Sequence, residues 1–160
     1  MASLDRFSLS EGERTVYVSY FVFAVVSGFV GFAASERLAT GGIFHQIPSY
    51  YELWTFLAGM SGGLLGLFVS RRFFGNSGAK GWVRFLLGAI SVMMISSVAG
   101  GTLALPFFGT MFGPLALVGT FIAYPLIAGF WLLSLILAHV ARGSYLRERD
   151  TIFRSSFPYA

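Results

Sequence analysis

The sequence contains no cysteine. Disulfides, thiolate metal sites and cysteine nucleophiles are therefore excluded, and the redox compartment stays open. Charge is scarce too. Asp, Glu, Lys and Arg make up 11% of the 160 residues, whereas soluble domains carry about 25%. Residues 15–35, 53–70 and 85–141 hold no charged side chain at all. Proton relays, ion-coupled carriers and voltage sensors depend on ionisable groups within their spans, so this gap argues against those classes. Pores built from backbone carbonyls or discontinuous helices survive it. A phosphate-binding loop is not encoded either: Gly78-Ala79-Lys80-Gly81 has no preceding strand and no Gly-Lys-Ser/Thr ending.

What is present is apolar. Hydrophobic residues reach 56%, with 18 Phe among them, and the mean hydropathy is +0.74. The expected fold class is all-α: a polytopic membrane protein with four transmembrane helices over about residues 14–35, 50–70, 83–104 and 114–142, forming one domain over residues 1–160. Ser10 and Glu13 form a capping box before the first span, which reads as a retained helix and not as a signal peptide. Pro48-Ser49 followed by Glu52 starts the second, with Tyr50, Tyr51 and Trp54 as an aromatic belt. Trp82 anchors the third. Within the long uncharged stretch the break falls at residues 105–114, LPFFGTMFGP, where Pro106 stops one helix and Pro114 suits the first turn of the next. That next helix would reach roughly 43 Å against a hydrocarbon core of roughly 30 Å, so it should tilt or project. Tyr124-Pro125 is its expected kink and Gly143 its cap.

The second span organises the rest. On a helix, Thr55, Gly59, Gly62, Gly63, Gly66 and Ser70 share one stripe. Glycine inside a helix costs up to about 1 kcal/mol relative to alanine, and in a membrane the compensation is close approach of a neighbouring helix. Gly59-xxx-Gly63 and Gly62-xxx-Gly66 fit that pattern. Ala24, Gly28, Gly31 and Ser35 make a similar stripe on the first span, so the two should pack as a close antiparallel pair. The third carries small residues over a broader face that includes Ala89, Ser96, Ser97, Gly100, Gly101 and Ala104.

Lys and Arg gather at alternate span ends: Arg6 and Arg14, then Arg71, Arg72, Lys80 and Arg84, then Arg142, Arg147, Arg149 and Arg154, with Arg37 alone between the first two spans. This predicts both termini in the cytoplasm (N-in/C-in) of a cell whose plasma membrane is the bacterial inner membrane, a source also hinted at by the preference for Arg over Lys. The net charge of +4 follows the same end-of-span pattern, so no nucleic-acid partner is expected.

The chemistry-bearing residues are few. Arg71, Arg72, Lys80 and Arg84 form a candidate anionic-lipid headgroup site. His45 and His139 lie on opposite sides, so each could serve only as a single axial ligand to a pigment or haem held by a larger complex. His45 with Glu52 is a weak acid/base pair for lipid chemistry. No cofactor or metal site is encoded by a recognisable motif. The expected function is that of a non-catalytic accessory or scaffolding subunit of a larger bacterial inner-membrane complex, an energy-converting (respiratory or photosynthetic) one among the candidates, contacting membrane lipids and other membrane subunits. The alternative is a small homo-oligomeric transporter or channel for a neutral or lipid-like solute, with its pore along Gly59, Gly63 and Gly66.

Overall fold

The computed structural model describes residues 10–40, 49–106 and 108–156. Over these residues every regular element is a helix: α1 (Glu11–Thr40), α2 (Ser49–Val69) continued by a 3-10 turn at Ser70–Phe73, α3 (Ala79–Ala104), α4 (Gly109–Ala123) and α5 (Pro125–Ser156). Four of them, α1, α2, α3 and α5, are long and apolar enough to cross a membrane. The fifth, α4, has 15 residues. At about 1.5 Å per residue it covers some 22 Å.

Local chemistry sets these boundaries. At the start of α1, Ser10 Oγ accepts from the Glu13 N–H and Glu13 Oε2 accepts from the Ser10 N–H, both at 3.2 Å, so two donors that helix geometry leaves free are satisfied reciprocally. Gly12 N–H donates to Glu148 Oε2 at 2.9 Å, which ties that end to α5. The turn between α2 and α3 uses two glycines in the left-handed region, Gly75 (φ 85°) and Gly78 (φ 80°).

Two prolines cut the rest of the chain. Leu105 precedes Pro106 and leaves the helix at φ −136°, ψ 87°. Tyr124 precedes Pro125 and does the same at φ −126°, ψ 73°. In both cases the proline Cδ crowds the preceding residue out of the α region. The fourth helix expected over 114–142 is therefore two helices, with a full break at Tyr124 in place of a kink. It starts earlier, so Pro114 is the sixth residue of α4 and not in its first turn, and the Thr110 carbonyl forgoes its helical donor. Gly143 caps nothing: α5 runs through it to Ser156.

Neighbouring helices pack antiparallel. The α1 helix lies between α2 and α5, and α3 between α2 and α4. This alternation places Arg14, Arg71, Arg72, Lys80, Arg84, Arg142, Arg147 and Arg149 at one end of the bundle, the basic end; Arg37 lies at the other, the distal end. The core is concentrated toward the basic end. Phe23, Leu67, Val92 and Leu135 are fully buried, with Phe74, Phe85 and Ala138 beside them. Trp131 closes this cluster against the Phe23 and Phe121 rings, at centroid distances of 5.7 and 5.5 Å.

Candidate functional site

The residues of the glycine stripe are divided between two neighbours. A methyl group added to Gly59 would lie 2.5 Å from the Ser27 carbonyl oxygen of α1, and one on Gly63 2.5 Å from Ser27 Oγ. On the other edge of α2, a methyl on Gly62 would meet Ser96 O and the Gly100 N–H, both at 2.7 Å, while one on Gly66 would collide with Ser96 Oγ. Gly31 faces Thr55 O, and Gly28 faces Met60 and Phe56. Thr55 Oγ1 reaches across to Ser35 Oγ at 3.2 Å. Ser70 falls in the 3-10 turn, not on α2, and is buried. The Oγ atoms of Ser27, Ser70 and Ser96 lack a hydrogen-bond partner. Those of Ser19, Ser35, Ser97, Thr102, Thr120 and Ser134 bond back to carbonyls of their own helix.

The breadth of small residues on α3 has a physical reason: α3 has two close neighbours. Ser96 and Gly100 receive α2. On the adjacent edge, Gly109 of α4 meets Gly101, and Gly113 meets the Ser97 carbonyl, at backbone contact.

Beyond that contact α4 crosses over the distal half of the bundle and leaves a cavity of about 880 Å³ beneath it. Its walls come from all five helices: Ser27, Val30, Gly31, Ala34, Ser35 and Arg37 of α1, Tyr51, Thr55 and Gly59 of α2, Ser97, Gly100, Gly101 and Ala104 of α3, Gly113, Ala116, Leu117 and Thr120 of α4, and Trp131 of α5. Arg37 is the charged residue among those walls. Its Nη1 lies 2.7 Å from where a methyl on Gly119 would sit, in the last turn of α4, where the helix's C-terminal partial charge favours a cation. Next to the cavity, two distal aromatic residues complete α3. Trp54 Nε1 donates to Leu103 O at 2.9 Å and Tyr51 OH to Ala104 O at 3.3 Å, satisfying carbonyls that the helix end leaves open.

The cavity was not read from the sequence. The available signal was the interval from Pro106 to Pro125, too short to hold a spanning helix and too apolar to be a loop.

At the basic end, Arg71 and Arg72 lie over the rings of Phe68 and Phe73, at 4.6 and 5.2 Å to the centroids. Arg84 Nη1 donates to Asn76 Oδ1 at 3.1 Å, and Lys80 is exposed in the first turn of α3. All four side chains are thus held outward around one turn. His139 lies beneath that turn. Its Nδ1 accepts from the Gly75 N–H at 3.2 Å. Its ring stacks on Trp82 at 28° and meets Phe85 edge-on at 5.0 Å. With Nδ1 accepting, the ring proton is on Nε2, so neither nitrogen is available as an axial ligand while this bond holds. His45, and with it the His45–Glu52 pair, lies outside the described residues. Among the described residues no group of three or more His, Asp or Glu side chains is placed to hold a metal ion.

Comparison with protein-family models, with curated proteins and with solved structures found no match.

Proposed function

We propose that this chain is a non-catalytic accessory subunit of a larger assembly in a bacterial inner membrane, with both termini on the cytoplasmic side. The observation that carries the reading is the overhang of α5. Glu148 is level with Gly12 at the start of α1, and α5 continues past that point to Ser156. At about 1.5 Å per residue its 32 residues reach some 48 Å, against a hydrocarbon core of about 30 Å. Past Glu148 the overhang carries Arg149 and Asp150, opposite in sign, which suits a rigid helix presented to a polar partner surface. The gathering of basic residues at this same end supports a cytoplasmic placement. A site-specific photo-crosslinker tests the idea at position 149, with Val140, exposed on the apolar stretch of the same helix, as comparison. Position 149 is expected to yield discrete adducts with other membrane-protein chains. Adducts confined to a second copy of this chain would contradict the reading.

The alternative, movement of a neutral or lipid-like solute, draws on the cavity. A pore between copies along this stripe would have to displace the contacts that α1 and α3 make with Gly63 and Gly66, whereas Gly59 also opens onto the cavity.

A further inference from the structure

We infer that the cavity beneath α4 is a binding site for one uncharged hydrocarbon chain, which enters past Phe108, Phe112 and Leu115 and ends against Trp131. The inference takes only the bilayer from the accessory role, and it asserts occupancy, not transport.

Size and shape come first. About 880 Å³ lies within the roughly 300–1,000 Å³ of small-molecule and cofactor sites. Residues from Phe108 to Thr120 contribute one face of α4 to the wall. At about 1.5 Å per residue that face is some 18 Å long. One leaflet's share of a hydrocarbon core of roughly 30 Å is about 15 Å, so the space is as long as one extended lipid chain. One end reaches the outer surface: Phe108, Phe112 and Leu115 line the cavity and are each more than half exposed. The other end is closed by Val30, Thr120 and Trp131, all buried. A chain in the bilayer passes in sideways at that mouth, from one apolar surface to another.

The walls favour hydrocarbon because, among the described residues, their hydroxyl hydrogens are already spent. Ser35 donates to Phe32 O, Ser97 to Met94 O and Thr120 to Ala116 O, each within its own helix. Thr55 donates to Glu52 O and Ser35 Oγ, and Tyr51 to Ala104 O. The hydroxyls of Ser27 and Ser96, which have no partner, are covered by α2 at Gly63 and Gly66. Arg37, the charged residue among the walls, already has an interaction of its own within the protein, and the chain asks nothing of it. Ordered water needs about two to four polar partners apiece, so these walls hold it poorly. An empty void would leave its lining atoms without dispersion partners. A hydrocarbon chain supplies those contacts and needs no hydrogen bond.

The three tryptophans allow a direct test. Trp54 and Trp82 are half exposed on the outside, whereas Trp131 is buried at the cavity wall. In a W54F/W82F protein in mild detergent, the methyl ester of stearate brominated at mid-chain should quench Trp131 saturably at one equivalent. Ala116→Phe or Ala34→Phe, each adding bulk at the wall, should abolish the saturable part. Leu64→Phe, on the exposed face of α2, should leave it unchanged. The free brominated acid should bind no more tightly than the ester. Because Trp54 caps α3, native mass analysis of the unsubstituted protein with the same ester gives a second reading, a one-to-one adduct lost in Ala116→Phe. Lipid retained from the native membrane identifies the source by its mass: a phospholipid means a bilayer lipid with one chain in the cavity, an uncharged lipid a ligand bound whole. Quenching that never saturates, together with no adduct on the unsubstituted protein, would overturn the site. Tighter binding of the acid than of the ester would overturn the uncharged class.

Discussion

In the basic half of the bundle α5 lies along α1 and presses Trp131, Leu135 and Ala138 against Phe23, Leu67 and Phe85. In the distal half α5 begins beside Phe29, Phe32 and Glu36 of α1, while α4 leans on α3 and roofs a cavity. Both halves contain small residues at helix contacts, yet one is filled and the other hollow. The difference lies in the covering helix. Small side chains permit close approach only where a neighbour runs alongside for its full length. Gly62 and Gly66 have such a neighbour in α3. Ala34 and Ala104 line the space beneath α4, a helix of 15 residues with a proline beyond each end.

Truncation should separate the halves most strongly. Phe23→Ala or Leu135→Ala removes a fully buried side chain from the filled half and should cost about 3–5 kcal/mol, as large-to-small core changes do. Leu117→Ala, at the cavity wall, should cost less than half as much, read from reversible unfolding in mixed detergent. Similar losses at all three would mean that the distal half is packed after all.

Enlargement comes next. Gly63→Leu and Gly66→Leu force α2 away from Ser27 and Ser96, and should each cost at least about 1–3 kcal/mol. Leu64→Ala, on the exposed face between them, should stay within about 0.5 kcal/mol in the same assay. Equal tolerance would show that the stripe faces lipid.

A smaller effect sharpens the basic end. His139→Leu keeps the aromatic contacts in part but leaves the Gly75 N–H without its acceptor, at an expected cost of about 1–3 kcal/mol. Amide exchange at Gly75 should rise with it. An unchanged exchange rate would show that the hydrogen bond contributes nothing to holding the turn.

The smallest effect has the opposite sign. Ala34→Phe or Ala116→Phe places bulk in the cavity and should be neutral or stabilising by about 0.5–2 kcal/mol. A loss comparable to that of Gly63→Leu would mean that no such space exists.

These contrasts also show what the residues revealed before the structure. Charge-free runs and proline positions placed both ends of α2 and the end of α3 within a residue or so, whereas α1 runs on to Thr40, α4 starts at Gly109 and the single last span is two helices ending at Ser156. Ser10 and Glu13 announced their capping box because the motif is local. The full break at Tyr124 was harder to see, since a proline inside an apolar run reads equally as a kink, and only tertiary packing decides which. The caps that Trp54 and Tyr51 provide on α3 join residues about fifty positions apart. Aromatic residues at a span end have an adequate local explanation, so nothing prompted a search for a partner. The cavity was least legible of all. A void is made by what five helices fail to reach together, and no residue in it is unusual by itself. Arg37 illustrates this: along the chain it is one loop charge, and in the fold it sits where α1, α4 and the cavity meet.

The central claim is that this bundle works as part of a larger machine. The measurement that tests it most directly is native mass analysis of the particle extracted from its own membrane in mild detergent. The account predicts a multi-subunit particle in which this chain is one component in fixed ratio to the others. A lone monomer or a pure homo-oligomer, recovered without partners across several mild detergents, would contradict it.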